Sequence, residues 1–185
     1  MKDLNIGIVG AGIGGLTAAL ALLKEGHRVT VLEQAPQLGE VGAGLSLSPT
    51  AVHALNYVGL RDTLETKAYK PEDQCVRHFK DGEPLAWINR GQSLIEQYGE
   101  RYYLIHRADL HDALGAAVRA QPRGSILLSR RCREVHQTHG EVRVSFDDAS
   151  SYSFDLLIGA DGSRSAVRSQ LFGPLEPQYT GYIAW

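Results

Sequence analysis

Five glycines within ten residues near the start of the chain constrain its fold more than any other feature. The run Gly10-Ala11-Gly12-Ile13-Gly14-Gly15 follows an apolar segment, Leu4 to Val9, and precedes a helical pattern from Leu16 to Glu25. The next apolar segment, Val29 to Leu32, ends at Glu33. A strand, a glycine turn, a helix, a second strand and an acid in this order predict the dinucleotide-binding turn of a Rossmann-like α/β fold.

Each glycine of this turn has a physical task in such a fold. Gly10 permits the tight turn out of the strand, and Gly12 lets the backbone approach a pyrophosphate that a Cβ would block. Gly15 lets the helix pack closely against the sheet. Ile13 and Gly14 complete the turn, whose free helix N–H groups bind an anion without a lysine or arginine. We therefore predict that this turn binds the phosphates of a dinucleotide.

Glu33 lies where the ribose of such a nucleotide is expected. Its carboxylate would accept hydrogen bonds from the adenosine ribose hydroxyls and would repel a 2′-phosphate. The nucleotide bound at this turn is accordingly predicted to be FAD or NAD rather than NADP. We include Gln34, the next residue, among the predicted cofactor-binding residues.

The same segment also resembles a membrane span or a signal peptide. From Ile6 to Leu23, eighteen consecutive residues contain only Thr17 as a polar residue. The glycines argue against a membrane helix, because each costs roughly 1 kcal/mol relative to alanine in a helix interior. A signal peptide fits poorly, since Lys2 is offset by its acidic neighbour and Glu25 stands where cleavage would occur. We predict no membrane association.

The composition is that of an ordinary globular protein. The chain has 185 residues, of which 43% are hydrophobic and 22% charged, enough for one sizeable core. Its net charge of −2 and its lack of a basic block argue against a nucleic-acid partner. Cys75 and Cys132 are far apart and lack metal-ligand spacing, so we predict no metal site and a reducing, cytoplasmic location.

Further periodicities place the remaining elements. A helix with Ser48 as N-cap and Pro49 as its first residue is predicted to end at Gly59, and strand-like pieces join at Asp81-Gly82. A turn region is predicted at Pro36 to Gly44 and a helix at Arg107 to Val118. Four short strands are predicted to form a meander: Ser125 to Ser129, Arg133 to Thr138, Val142 to Phe146 and Ser151 to Ile158. Another helix at Ser163 to Leu171 and a last strand at Tyr179 to Trp185 follow.

Four segments together resemble the group A flavoprotein monooxygenases, the FAD-dependent aromatic hydroxylases. The first is the glycine turn with Glu33. The second, Ile105 to Leu110, is similar to the strand-to-helix segment of that family, and the third, Asp155 to Arg168, is similar to its Asp-Gly fingerprint. The fourth, Gly42 to Ala51, is similar to the members that hydroxylate salicylate or 3-hydroxybenzoate.

The resemblance implies further cofactor-binding residues. Arg107 would reach the diphosphate and ribityl region of FAD, and a diphosphate there would offset the cost of a cation at a helix N-terminus. Asp161 would contact FAD, although it could also serve only as the N-cap of the helix that follows. The catalytic base of the relatives lies beyond Trp185, so the catalytic residues are unknown.

The resemblance also implies an architecture. Residues 1-185 would form a truncated, Rossmann-like FAD-binding domain, in which a parallel sheet is joined by a β-meander. Residues 70-100 and 175-185 would contribute to an incomplete, mixed-sheet substrate domain. The chain also ends in a strand-like pattern, which predicts a fragment of something longer.

The implied activity is that of an NAD(P)H-dependent monooxygenase. FAD reduced by NADH or NADPH would react with O₂, and one oxygen atom would be transferred to a phenol or a hydroxy-aromatic acid. The protein would be cytoplasmic and could form a homo-oligomer. Two alternatives remain open: another FAD or NAD oxidoreductase, of the ubiquinone-precursor hydroxylase or dehydrogenase type, and a catalytically incomplete nucleotide-binding fragment.

Overall fold

A computed structural model describes residues 3–39 and 42–182. Within these ranges six segments are helical: α1 (Ile13–Lys24), α2 (Pro49–Tyr57), α3 (Arg61–Lys67), α4 (Gln92–Tyr98), α5 (Arg107–Arg119) and α6 (Ala166–Phe172). Eleven described segments are strands: β1 (Asn5–Val9), β2 (Arg28–Leu32), β3 (Gly44–Leu47), β4 (Asp73–Arg77), β5 (Pro84–Asn89), β6 (Tyr103–His106), β7 (Gly124–Leu127), β8 (Cys132–Thr138), β9 (Glu141–Phe146), β10 (Ser151–Phe154) and β11 (Leu156–Gly159).

The chain forms two compact units. The first combines Met1–Leu38 with Val118–Trp185, and the second is the continuous stretch Gly39–Ala117. Helix α5 begins in the second unit and ends in the first. The glycine turn, Glu33 and Asp161 therefore belong to the first unit, whereas Arg107 belongs to the second.

A parallel sheet is the centre of the first unit. Its strand order is β11-β1-β2-β7, and α1 is the crossover between β1 and β2. Four of the five residues of β1 are buried, as expected of a strand covered on both faces. The glycine turn follows β1 at the carboxyl edge of this sheet, which is where open α/β sheets bind ligands.

An antiparallel meander completes the first unit, in the order β10-β9-β8. It shares a hydrophobic cluster with the parallel sheet and α6, whose buried members are Val9, Leu32, Val144, Phe146, Phe154 and Val167. Gly7 makes this packing possible, because a Cβ on it would lie 2.6 Å from the Phe154 ring. The Rossmann-like parallel sheet and the β-meander predicted from the sequence are both confirmed.

The second unit contains two small antiparallel sheets, β3-β6 and β4-β5, together with α2, α3, α4 and most of α5. Ser48 occupies the N-cap position of α2 and Pro49 its first turn, as predicted. The predicted hairpin is also present, with Cys75 of β4 opposite Trp87 of β5. The sequence patterns did not predict α3, α4 or β3, which are short and lack a clear periodicity.

The predicted strand Ser151 to Ile158 is wrong, because the structure divides it between two sheets. Strand β10 pairs with β9 in the meander, whereas β11 pairs with β1 in the parallel sheet. The break falls at Asp155, whose N–H donates to the Asn5 carbonyl at 2.8 Å and whose carboxylate accepts the Asn5 N–H at 2.7 Å. These paired bonds turn the chain from one sheet into the other.

Three other predicted elements need correction. The predicted strand Ser125 to Ser129 pairs as β7 with β2, so it is no part of the meander. The helix predicted from Ser163 begins only at Ala166. The predicted strand Tyr179 to Trp185 is not formed over residues 179–182, because no described strand pairs with them, and its last three residues lie outside the described ranges.

Candidate dinucleotide site

The turn after β1 requires glycine at two positions because of the chain itself. Gly10 has φ +105°, and a Cβ on it would lie 2.4 Å from the Ala160 carbonyl oxygen. A Cβ on Gly15 would lie 2.1 Å from the carbonyl oxygen of Gly10. The N–H of Gly10 donates to the carbonyl of Leu32 at 2.8 Å, which joins the turn to the end of β2.

Gly12 and Gly14 are different, because nothing in the described chain requires glycine there. Apart from the adjacent residues and the backbone of the same helix, no described atom lies within 4 Å of a Cβ built on either residue. Gly12 is the N-cap of α1, whose first turn has no acidic residue and no side-chain cap. The first intrahelical bond recorded there runs from Leu16 N–H to Gly12 C=O at 3.0 Å. The N–H groups of the first turn of an α-helix, here including that of Ile13, have no intrahelical acceptor, which fits an anionic group such as a diphosphate.

Glu33 has a structural role that the sequence did not predict. Its carboxylate accepts the N–H of Ala11 at 2.7 Å and the N–H of Ala35 at 2.9 Å, one at each oxygen. The first bond fixes the middle of the glycine turn to the end of β2. Because a carboxylate has about four acceptor positions, both oxygens retain capacity for ribose hydroxyls. Gln34, beside it, is exposed.

The carboxylate of Asp161 caps helix α6. It accepts the N–H groups of Ala166 at 2.6 Å and Val167 at 3.2 Å, and the hydroxyl of Ser165 donates to its other oxygen. Ser165 is itself the N-cap residue and accepts the Arg168 N–H at 2.9 Å. This double cap explains why α6 begins later than predicted. The capping role weighed for Asp161 in the sequence is therefore present.

The backbone of Asp161 also lies directly beside the glycine turn. Its Cα would be 3.0 Å from a Cβ on Gly10, and the preceding N–H of Ala160 donates to the Val9 carbonyl at 2.7 Å. The structure thus brings the glycine turn, Glu33, Gln34 and the segment around Asp161 together in the first unit.

Cys132 is a half-buried thiol whose ionisation is influenced by Asp161. Burial, and then the charges of Asp161 and Asp147, raise the pKa of this thiol from its ordinary value of 9.0 to about 11. A folded-state pKa raised in this way favours the protonated form. Its contribution to the free energy of unfolding is therefore complete below pH 9 and is lost as the pH rises towards 11.

We expect alkylation of Cys132 by iodoacetamide at pH 8 to be roughly 100-fold slower in the folded chain than in the urea-unfolded chain. The measurement uses a Cys75→Ser background, so that one thiol reacts. Asp147→Asn should accelerate the folded-state reaction by removing one of the two charges, without changing the α6 cap. Equal rates in the folded and unfolded chains would contradict the expected pKa shift.

Arg107 occupies the start of α5 in the second unit. Its backbone N–H donates to the carbonyl of Ala43 at 2.8 Å, just beyond the β3-β6 ladder, where Gly44 pairs with His106. The residue is half-buried. The prediction of a strand-to-helix junction at this point is confirmed, with β6 ending at His106 and α5 beginning at the next residue.

Two further features concern site classes outside nucleotide binding. Within residues 3–39 and 42–182, no three His, Cys, Asp or Glu side chains are grouped in a way that could hold a metal ion. None of the helices in the described part of the chain has both the length and the apolar character needed to cross a membrane.

Comparison with known proteins begins with the FAD binding domain family, whose sequence model matches residues 3–183. The chain is 41% identical over 181 residues to 3-amino-4-hydroxybenzoate 2-monooxygenase of Streptomyces cremeus, covering 98% of the chain and 45% of that relative. It is 36% identical over 183 residues to 3-hydroxybenzoate 6-hydroxylase of Polaromonas naphthalenivorans, covering 99% and 46%. The chain thus spans slightly less than half the length of these relatives.

The fold is also similar to that of a solved structure, Klebsiella pneumoniae HpxO complexed with FAD and uric acid. The TM-score is 0.77 at 32% sequence identity, and the match covers 90% of this chain and 41% of that one.

Proposed function

Because the chain belongs to the FAD binding domain family, we propose that it binds the adenosine diphosphate half of FAD at its glycine turn. This membership confirms the family resemblance predicted from the sequence. The proposed cofactor-binding residues are those predicted from the sequence and the resemblance: Gly10, Gly12, Ile13, Gly14, Gly15, Glu33, Gln34, Arg107 and Asp161.

The observation that carries this proposal is the open space at Gly12. Gly10 and Gly15 are explained by contacts within the chain, but apart from the adjacent residues no described atom lies within 4 Å of a Cβ added to Gly12. A glycine at a helix N-cap, next to N–H groups that the helix itself leaves without an acceptor, fits a backbone approached by a diphosphate. We propose that Glu33 combines two tasks, bracing the turn and accepting the ribose hydroxyls.

We further propose that the whole protein is a monooxygenase acting on a hydroxylated aromatic compound. The flavin supplies the redox chemistry, accepting electrons from NADH or NADPH and passing them to O₂. The residues of this chain hold the cofactor: the amides of α1 neutralise the phosphates, and Glu33 orients the ribose. The aromatic substrate rests on the names of the relatives, which are hydroxybenzoate monooxygenases. A cytoplasmic location and a possible homo-oligomer remain part of this proposal.

Binding of FAD by the purified chain is the direct test. We expect bound flavin to show absorption bands near ~370 and ~450 nm after gel filtration, because the isoalloxazine is the chromophore. Competition with ADP-ribose should displace it, whereas NADP should compete poorly because of Glu33. A chain that binds NAD but no flavin would favour the dehydrogenase alternative. Oxidation of NADH or NADPH by the whole protein, only when an aromatic acid is added, would support the monooxygenase activity.

The hairpin formed by β4 and β5 is proposed to belong to a substrate domain of a longer protein. All six residues of β5 are exposed, including Leu85 at 63% and Trp87 at 66%. A two-stranded hairpin is marginally stable alone, and exposed apolar side chains of this size mark surfaces that other segments cover. The test compares the 185-residue chain with a chain extended along its reading frame, each with every tryptophan except Trp87 replaced by phenylalanine. Acrylamide should quench Trp87 fluorescence less in the extended chain.

A further inference from the structure

Strand β8 lies at one end of the antiparallel meander of the first unit, and among the described strands only β9 pairs with it. Most of the strand is accessible to solvent: of its seven residues, only Cys132 and Val135 are half-buried. Unpaired backbone N–H and C=O groups on an accessible edge can pair with a strand of another molecule. An open β8 edge would therefore be a site of association between chains.

The side chain of Gln170 lies across this edge. Its Oε1 accepts the backbone N–H of Val135 at 2.7 Å, and its Nε2 donates to the backbone carbonyl of Arg133 at 3.2 Å. A glutamine amide combines an acceptor and a donor, as the peptide groups of a strand do. The side chain thus occupies two backbone groups that a further strand would need in order to pair with β8.

Helix α6 carries this glutamine and is held in place by other contacts. Val167 of the same helix is buried in the hydrophobic cluster, against which Val135 of β8 also packs. The first turn of α6 is capped by Asp161 and by Ser165. Loss of the Gln170 amide should therefore leave the helix in place and uncover only the edge of β8.

We propose that the Gln170 amide blocks the pairing of β8 with a second copy of this chain. The sequence of β8 is compatible with such a pair. If two β8 strands pair antiparallel about Val135, Glu134 of each copy lies opposite His136 of the other. No two like charges are then opposed, whereas like charges directly opposite each other destabilise a pair. This role is independent of the proposed FAD binding and would survive its failure.

Hydrogen exchange of the Val135 amide in the full 185-residue chain tests this inference. Gln170→Met keeps a side chain of similar length but removes both hydrogen bonds to β8. At low protein concentration, the Val135 amide of this variant should exchange about tenfold faster than in the unchanged chain, because it has lost its acceptor. At high protein concentration the exchange should slow again, because a carbonyl of the second copy replaces the glutamine. Gln170→Ala should behave in the same way, since alanine favours the helix.

A control variant and a reference amide accompany this measurement. Gln92 is likewise exposed on a helix, but its amide donates to the side chain of Glu96 rather than to a strand. Gln92→Met should leave the exchange of Val135 unchanged at both concentrations. Val144 of β9 lies between β8 and β10, opposite Val135 and Tyr152. Equal exchange of the Val144 amide in all variants shows that the meander remains folded.

The outcomes separate this role from a purely structural one. If Gln170 only fastens α6 to β8, the Val135 amide of the variants exchanges fast at every protein concentration, and the inference is overturned. It is also overturned if Val135 exchanges as slowly in both Gln170 variants as in the unchanged chain, because the amide then does not cover the edge. Fast exchange that slows as the concentration rises, together with a dimer in sedimentation velocity, supports the inference.

Discussion

Replacing Gly10 with alanine is expected to lower the free energy of unfolding by about 3 kcal/mol and the melting temperature by roughly 10 °C. Two costs combine at this residue. Its φ of +105° is rarely adopted by residues with a Cβ, and the new Cβ would lie 2.4 Å from the carbonyl oxygen of Ala160. Because the obstacle is backbone rather than a flexible side chain, β11 or the turn itself must move. Urea unfolding of the ligand-free chain measures the loss.

Gly26 provides the matched control for this prediction. It also has a positive φ, +89°, but apart from its two neighbours no described atom lies within 4 Å of an added Cβ. Gly26→Ala should therefore cost only the conformational term, about 1 kcal/mol. Equal losses for the two variants would show that the close approach to Ala160 does not contribute to stability.

Replacing Gly12 with alanine is expected to weaken FAD binding roughly 100-fold while changing the free energy of unfolding by less than about 1 kcal/mol. The chain leaves space for the added methyl group, and the backbone of Gly12, with φ −68° and ψ 174°, is allowed for alanine. Because no described side chain or distant backbone atom meets the new Cβ, a loss of affinity would come from a clash with the proposed diphosphate. Fluorescence titration with FAD gives the affinity, and urea unfolding of the same sample gives the stability.

Gly39→Ala is the control for this second substitution, since it also places a Cβ in space without described neighbours within 4 Å and lies outside the glycine turn. It should change neither quantity appreciably. An unchanged FAD affinity in Gly12→Ala would mean that the open space at the start of α1 is not the diphosphate site. Gly10 and Gly12 thus separate the part of the turn that serves the fold from the part proposed to serve the ligand.

The sequence predicted the elements of the first unit better than their pairing. The order of strand, glycine turn, helix and strand is local information, and β1, α1 and β2 follow it closely. Residues 151–158 were predicted as one strand because no glycine or proline interrupts them. The bonds between Asp155 and Asn5, separated by 150 positions, mark the point where the chain passes from one sheet to the other. Side-chain to backbone bonds over such distances leave no periodic signal.

The candidate site shows the same limit. Glu33 was predicted from its position at the end of β2, but its bond to the Ala11 N–H depends on how the turn folds back. The same holds outside the site, where the bonds of Gln170 join a helix to the edge of β8 and no sequence pattern indicated them. Gln170 and Val135, separated by 35 positions, become partners only after α6 and the meander are packed.

The division of the chain has a consequence for its synthesis. The second unit is one continuous stretch, whereas the first unit needs residues from both ends of the chain. The glycine turn packs against Ala160, about 150 residues downstream of it. During translation, residues 39–117 can therefore fold before the first 38 residues, whose contacts within the first unit require the later stretch from residue 118 onward. A nascent chain should acquire FAD affinity only after β11 has left the ribosome, so the first segment made would be among the last to become functional.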